Sequence, residues 1–192
     1  MKIQKIDTIK VLSFFLLVHV VIWTLVPSLT NNNLPLDTIE HLAWATNLDW
    51  GFSKHPPMVA FILRFFFDIF GNQDWAYYFL SQLFVGFSLF VVFKFSEDFF
   101  NDKILSLISV IVLEAIYFHN FTTPEFNVYV CQLPFRALTV YFCWKSIKNN
   151  DLLSWVLFGI FGALGFLSHY LFFFLLIGIK IFFLIIIFNK KR

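Results

Sequence analysis

The chain has 192 residues, of which 59% are hydrophobic and only 14% are charged. A typical soluble domain is about 45–50% apolar and about 25% charged, so this composition indicates a protein that spans a lipid bilayer. The net charge of +2 and the lack of a large basic cluster exclude the nucleic-acid-binding class. Cys131 and Cys143 lie in one apolar run and indicate no disulfide framework.

The first apolar run covers residues 11–29 and follows a segment that contains three lysines. It resembles a signal peptide, but the run is long and no small-residue cleavage site follows it. We therefore predict an uncleaved first span with its N-terminus inside, because lysines stay on the cytoplasmic side. His19 lies in the middle of this span, where a polar ring is unfavourable unless it faces other helices.

Further apolar runs predict a polytopic, all-α membrane bundle of about six transmembrane helices, with residues 1–192 forming one membrane domain. The predicted spans are residues 11–29, 75–95, 104–118, 128–144, 152–167 and 171–188. Lysines in each inner segment agree with the positive-inside rule. Arg136 and Lys180 lie deep in predicted spans, so we expect a polar cavity or partner inside the bundle, unless Lys180 reaches the interface.

The first external segment, residues 30–71, predicts two interfacial helices. The first helix runs from residue 36 to about residue 50 and ends at Gly51. Its polar face carries four side chains at i, i+3, i+4 and i+7 spacing: Asp37, Glu40, His41 and Trp44. We expect this face to lie in water and the opposite, apolar face to lie on the membrane. The second helix spans residues 58–70, with Arg64 and Asp68 on its polar face.

Two interpretations of Asp37 and Glu40 carry equal weight. In the first, Asp-x-x-Glu before an apolar run is a capping box, in which both side chains bind free N–H groups of the helix. In the second, the two carboxylates are a general base and its helper, or a metal-binding pair. A helix N-terminus also favours an anionic ligand nearby, so the two interpretations overlap.

The segment from Lys54 to Pro57 reads Lys-His-Pro-Pro, and each proline restricts the residue before it. This stiff connector either braces an interfacial loop or holds a cation rigidly toward a phosphate. Three more polar side chains either line the same external cavity or mark where spans reach water: Glu114, His119 and Glu125. The residues alone leave both choices open.

The stretch LPLDTIEHLAWATNLDWGFSKHPPMVAF resembles the start of the polyprenyl-phosphate-sugar glycosyltransferases of family 39. These are similar to protein O-mannosyltransferases and the lipid A aminoarabinose transferase. The motif positions are Leu36, Asp37, Glu40, Trp44, Trp50, Gly51, Phe52, Lys54, His55, Pro56 and Pro57. Phenylalanine at position 52 replaces the usual tyrosine. Two later stretches also resemble the family: Glu125-Phe126-Asn127 with Leu133-Pro134-Phe135, and Ser168-His169-Tyr170, where relatives often have Ser-Lys-Tyr.

The resemblance implies the GT-C membrane fold and an enzyme in the plasma (inner) membrane that moves a sugar from a lipid-linked phosphate to an acceptor outside. The family's catalytic carboxylate matches Asp37, which would take the proton of the acceptor hydroxyl. Lys54 or His55 would stabilise the departing phosphate. Glu40 would orient Asp37 or help hold a divalent cation.

The resemblance adds three substrate-binding positions: Trp44, Glu125 and His169. Lipid A, a surface polysaccharide, a protein serine and a lipid carrier all remain open as acceptors. Because family members are much longer, the chain is also expected to be the N-terminal fragment of such an enzyme, with a second chain that completes the fold. The alternative is a non-catalytic membrane subunit or remnant that keeps only the fold. A small transporter is less favoured, because its polar residues would lie near the membrane midplane, not in an external loop.

Overall fold

In a computed structural model, residues 7–190 are described, and their side chains are described up to residue 185. This part of the chain is helical and contains no strand. The helices are α1 Thr8–Thr30, α2 Leu36–Ala45, α3 Met58–Phe70, α4 Asp74–Phe100, α5 Lys103–Glu114, α6 Val128–Cys131, α7 Leu133–Asn149, α8 Leu152–Ser168 and α9 Phe172–Lys190. The predicted all-α membrane bundle is therefore confirmed.

Helices α1 and α4, with 23 and 27 residues, are long and apolar enough to cross a membrane. Helices α8 and α9 are apolar, but their described apolar segments are shorter. Helix α5 has 12 residues and is about 18 Å long at 1.5 Å per residue, short of a hydrocarbon layer of about 30 Å. The predicted span 104–118 is thus only partly helical, because the chain turns after Glu114.

Helix α4 is the central element of the bundle and packs against α1, α5 and α7. In its most apolar stretch 67% of the residues are buried, against 17% in α1. Large side chains fill the space around it, including the fully buried Tyr77, Leu80, Leu89 and Phe93. Burial of such side chains contributes roughly 1.5–3 kcal/mol each when the alternative is water, so α4 organises the core.

His19 faces the inside of the bundle, as its position in α1 predicted. Its ring is 4% exposed and bridges two other helices. Nδ1 lies 2.7 Å from Oε1 of Glu114 at the end of α5, and Nε2 lies 3.0 Å from Oε1 of Gln82 in α4. The ring thus links α1 to α4 and α5 through hydrogen bonds at both of its nitrogens. Glu114 therefore belongs to the core and not to the external loop.

Arg136 and Lys180 are both exposed and do not line an inner polar cavity. Arg136 does have a polar neighbour, His169, whose pKa is lowered by burial and further by the Arg136 charge. Helix α7 packs against α4 and α8. Arg136 shares its face of α7 with the buried Thr139 and Cys143, at i, i+3 and i+7 spacing, and its own side chain is exposed. The helix itself begins after a break at Gln132, because the following Pro134 has no N–H to continue the ladder from α6.

Residues 169–171 connect α8 to α9 so tightly that Phe172 is fully buried against Gly165. A Cβ added at Gly165 would lie 2.2 Å from the Phe172 ring. We expect Gly165→Ala to lower the stability by about 1–3 kcal/mol, because the ring has no room to move. Thermal unfolding in detergent measures this effect. Gly159→Ala in α8 is the matched control, since nothing lies within 4 Å of its added Cβ; equal melting temperatures for the two variants would contradict the prediction.

Candidate active site

The polar face of α2 points into the protein, which corrects the expectation that it lies in water. His41 on this face is 1% exposed, and Asp37 and Glu40 are half-buried. On the opposite face, Leu36 is 78% exposed. The spacing of the residues identified the two faces of the helix correctly. The polar face turns inward because it forms hydrogen bonds with neighbouring segments, so the apolar face is left exposed.

Helix α2 is also shorter than predicted and ends at Ala45 instead of near residue 50. The Thr46 hydroxyl donates to the Ala43 carbonyl at 2.7 Å, and the Asn47 N–H donates to the Trp44 carbonyl at 3.1 Å. Such local bonds tighten the last turn and compete with continued helix. The residues that follow are thereby free to form the loop that carries Lys54 and His55.

The capping-box interpretation of Asp37 and Glu40 is wrong. Pro35 occupies the N-cap position of α2, and no side chain of the helix's own start caps it. Instead, Oε1 of Glu125 accepts a hydrogen bond from the Asp37 backbone N–H at 3.0 Å. Asn127 supports Glu125 through Nδ2 at 3.3 Å from Oε2. A distant carboxylate thus satisfies a free donor of the helix, and burial raises the pKa of Glu125.

The Asp37 carboxylate makes no hydrogen bond to any residue in the described part of the chain. It is half-buried and lies near His41, His55 and Lys54, whose proton affinities its charge raises. Both backbone polar groups of Asp37 are hydrogen-bonded: its N–H donates to Glu125, and its carbonyl accepts from the ring of His41. The result is a fixed carboxylate whose oxygens remain available to a ligand.

Glu40 binds Lys54 instead of Asp37. The Lys54 ammonium donates to Oε1 of Glu40 at 2.7 Å, and the lysine side chain is 60% exposed. This hydrogen bond lowers the pKa of Glu40 and raises the pKa of Lys54, so both stay charged at neutral pH. The pair holds one cation at the open edge of the site, next to the Asp37 carboxylate.

A continuous series of rings, here called the aromatic row, connects α2 to the α8–α9 turn: Phe52, Trp44, His41, His55, His169 and Tyr129. The successive centroids are 5.0, 4.9, 5.6, 5.8 and 4.9 Å apart. Phe52 and Trp44 are stacked, and so are His41 and His55. The row brings together residues that lie far apart in sequence.

Hydrogen bonds define the tautomers of two histidines in the row. His41 donates from Nδ1 to the Asp37 carbonyl at 2.5 Å, so its buried Nε2 carries a lone pair and has no partner among the described residues. Nε2 of Gln132 donates to Nδ1 of His169 at 3.2 Å. Nδ1 of His55 is also buried without a partner in this part of the chain. The row thus holds two buried ring nitrogens that have no partner among the described residues.

Burial lowers the pKa values of His41, His55 and His169, so all three rings are neutral at pH 7. Below the ordinary histidine pKa of 6.5, the unfolded chain then binds protons more readily than the folded chain. Stability should therefore fall as the pH drops through this value, by at most about 1.4 kcal/mol per pH unit for each group.

We expect His41→Gln to reduce this acid sensitivity, because it removes the most deeply buried of the three rings. Thermal unfolding of wild type and variant between about pH 7.5 and about pH 5 measures the difference. The raised pKa of Glu125 acts in the opposite direction and is present in both proteins. Parallel stability curves would show that His41 is not the group that titrates.

The structure brings all seven predicted site residues into one region at the α2 end of the bundle. Their positions are Asp37, Glu40 and Trp44 on α2, Lys54 and His55 in the loop before α3, Glu125 before α6, and His169 after α8. Sequence reasoning missed Tyr129 and Gln132, which contact His169. Gln132 could have been found as an uncharged polar residue inside an apolar run, which is costly unless it has a partner.

No three His, Cys, Asp or Glu side chains come together as metal ligands within the described residues. The Glu40 carboxylate is already neutralised by the Lys54 ammonium, which disfavours a cation at the same oxygens. The residues present thus do not fit the divalent cation that the resemblance left open. A cavity of about 590 Å³ lies elsewhere, on the side of α2 lined by Leu42 and Ala43, between α2 and Arg64 of α3.

Residues 54–192 match the family described as dolichyl-phosphate-mannose-protein mannosyltransferase. The chain belongs to this family. The matched residues include Lys54, His55, Glu125 and His169, whereas α1 and α2 with Asp37 precede them. No curated protein and no solved structure matches the chain. Membership in the mannosyltransferase family, together with the apolar helices, identifies a membrane glycosyltransferase of the GT-C type.

Proposed function

We propose that this protein transfers a sugar from a polyprenyl-phosphate-linked donor to an acceptor on the external face of the membrane. The observation that carries the proposal is the Asp37 carboxylate, which is half-buried, fixed through its backbone and free of hydrogen bonds to the described residues. An acceptor hydroxyl becomes a good nucleophile when such a carboxylate takes its proton. Asp37 is accordingly the general base of the proposed reaction.

The departing lipid phosphate needs positive charge as the bond to the sugar breaks. Lys54 supplies it, because its ammonium is exposed at the edge of the site and its pKa is raised by the bond to Glu40. His55 is adjacent, but burial lowers its pKa, so it acts as a neutral hydrogen-bonding ring. Glu40 is a positioning residue that acts through Lys54.

The aromatic row forms the wall against which the sugar binds. Trp44 is half-buried and offers its ring to the apolar side of a sugar. Glu125 and His169 stabilise this wall. Glu125 accepts a hydrogen bond from the Asp37 N–H of α2, and the centroid of the His169 ring lies 5.8 Å from that of the His55 ring.

The membrane arrangement follows from the lysines. Lys94, Lys103, Lys145 and Lys148 cluster at the end of the bundle away from Asp37. The positive-inside rule then puts that end in the cytoplasm and the site outside, at headgroup depth, with residues 1–192 in one membrane module. A lipid-linked phosphate reaches this depth while its tail stays in hydrocarbon.

The test uses the purified chain in liposomes with a polyprenyl-phosphate sugar carrying a radiolabel in the sugar. We expect release of free polyprenyl phosphate and transfer of label to an added acceptor, above the level in protein-free liposomes. Lipid A, a serine peptide and a polysaccharide fragment are supplied in separate reactions. If correctly folded protein releases nothing from any sugar donor, the chain is a non-catalytic membrane subunit instead.

A further inference from the structure

A second site lies between α7 and α9, at the end of the bundle away from Asp37. Both helices pack on α8 and leave between them a groove of about 510 Å³. Its walls are almost wholly apolar and include Val140, Ile147, Phe174, Leu175, Ile179 and Phe182. A groove of this character suits a hydrocarbon chain, because Lys148 is the one charged side chain among the described residues that line it.

The groove continues into a polar cavity of about 540 Å³ at the ends of α4 and α7. Trp144 and Lys148 line both, so they mark the junction. The polar part is also lined by Lys94 and Lys145. An apolar groove that opens onto cationic side chains beside a tryptophan has the layout of a membrane–water interface.

The carboxylates of this cavity already have partners. Glu97 is paired with Lys94 at 2.5 Å, and Asp98 accepts from the Tyr141 hydroxyl at 2.5 Å. Lys148 lies 4.5 Å above the Trp144 ring, and its one described hydrogen bond is to the backbone carbonyl of Asp98 at 3.3 Å. Asp98 keeps its negative charge, because the tyrosine hydroxyl is neutral, but neither it nor Glu97 lies within ion-pair distance of Lys145 or Lys148.

Lys145 completes the cationic pair. Its ammonium lies 5.4 Å from the centre of the Tyr141 ring, and no carboxylate lies within ion-pair distance of it or of Lys148 in the described residues. Aromatic faces orient an ammonium without cancelling its charge. Both lysines thus remain available to an anion that reaches the junction from the membrane.

We propose that this site binds an anionic phospholipid, with one acyl chain in the α7–α9 groove and the headgroup phosphate between Lys145 and Lys148. The apolar groove matches the acyl chain, and the polar cavity matches the headgroup. Each lysine near a headgroup increases the affinity roughly fivefold. A free phosphate would not use the groove, and an apolar helix of another protein would not use the lysines. The site is independent of the proposed sugar transfer.

Gly178 provides a direct way to close the groove. It lies in the groove lining, and nothing lies within 4 Å of a Cβ added there. Gly178→Leu should therefore fill the space without a clash. Gly159→Leu in α8 is the matched control, because it adds the same side chain at an equally open position outside the groove.

The experiment is native mass spectrometry of the detergent-solubilised protein with phosphatidylglycerol and phosphatidylcholine that carry the same acyl chains. We expect wild type and Gly159→Leu to prefer phosphatidylglycerol. Lys145→Gln with Lys148→Gln should weaken phosphatidylglycerol binding about 25-fold and leave phosphatidylcholine nearly unchanged. Gly178→Leu should weaken both lipids.

Several results would overturn the proposal. One is equal binding of the two lipids to wild type; another is a preference that survives the double lysine change. Binding that is indifferent to Gly178→Leu would place the acyl chain elsewhere and would also refute the site. Unfolding temperatures of all variants, compared with Gly159→Leu, separate a filled groove from a damaged fold. Lys180→Gln is a charge control, because Lys180 is exposed on α9 outside this cavity.

Discussion

Asp37→Asn is expected to lower the rate of sugar transfer by about 100- to 10,000-fold, the range typical for loss of a general base. Asparagine has nearly the same shape but cannot take the proton of the acceptor. The fold should survive, because the Asp37 carboxylate makes no hydrogen bond to the described residues and its backbone N–H still binds Glu125. Initial rates with a labelled polyprenyl-phosphate sugar, in liposomes, measure the effect.

Asp68→Asn is the matched control for this experiment. It makes the same chemical change on α3, where Asp68 is half-exposed and pairs with Arg64 at 3.0 Å. Its transfer rate should stay within about twofold of wild type, since exposed pairs contribute little. A folded Asp37→Asn protein with the wild-type rate would disprove the general-base assignment and leave the family membership untouched.

His19→Leu is expected to lower the free energy of unfolding by about 3–5 kcal/mol, because it leaves the Glu114 carboxylate buried without its partner. The Gln82 side chain loses its bond to the ring as well. The change removes the hydrogen bonds that link three helices, since His19 lies on α1, Gln82 on α4 and Glu114 on α5. Unfolding in detergent, followed by circular dichroism, measures the loss.

The double variant His19→Leu with Glu114→Leu is the informative comparison. Replacing a buried, hydrogen-bonded pair by apolar side chains is often close to neutral, so the double variant should be more stable than His19→Leu alone. Additive losses would mean that the two side chains do not interact. Asp68→Leu on α3 controls for removing a carboxylate from a surface pair, because the Arg64 and Asp68 side chains are 43% and 52% exposed.

Several elements could be predicted closely from the sequence because their signals are local. The second interfacial helix was predicted at residues 58–70 and is α3, Met58–Phe70. It ends where Gly71 adopts a φ of 65°, a conformation that glycine reaches without strain. The span predicted at 152–167 is α8, Leu152–Ser168, for the similar reason that a long apolar run ends at polar residues.

Predictions about α2 failed where they depended on its neighbours. The spacing of Asp37, Glu40 and His41 correctly indicated one polar face, but it could not show that this face binds other segments of the chain. The apparent capping box is also a local signal. It does not form, because the Asp37 N–H donates to Glu125 and the Glu40 carboxylate binds Lys54. Sequence spacing describes a helix, but not what covers it.

The sequence by itself determined that this protein is an all-α membrane bundle and which chemical groups its external segments carry, because hydropathy and spacing act over a few residues. Only the tertiary structure decided which of these groups meet. Asp37 and Glu125 are 88 residues apart, and both they and the rings of His55 and His169 come together because α2, α6 and α8 all pack against α3. Side-chain packing and buried hydrogen bonds decide which groups meet, and no local sequence pattern encodes them.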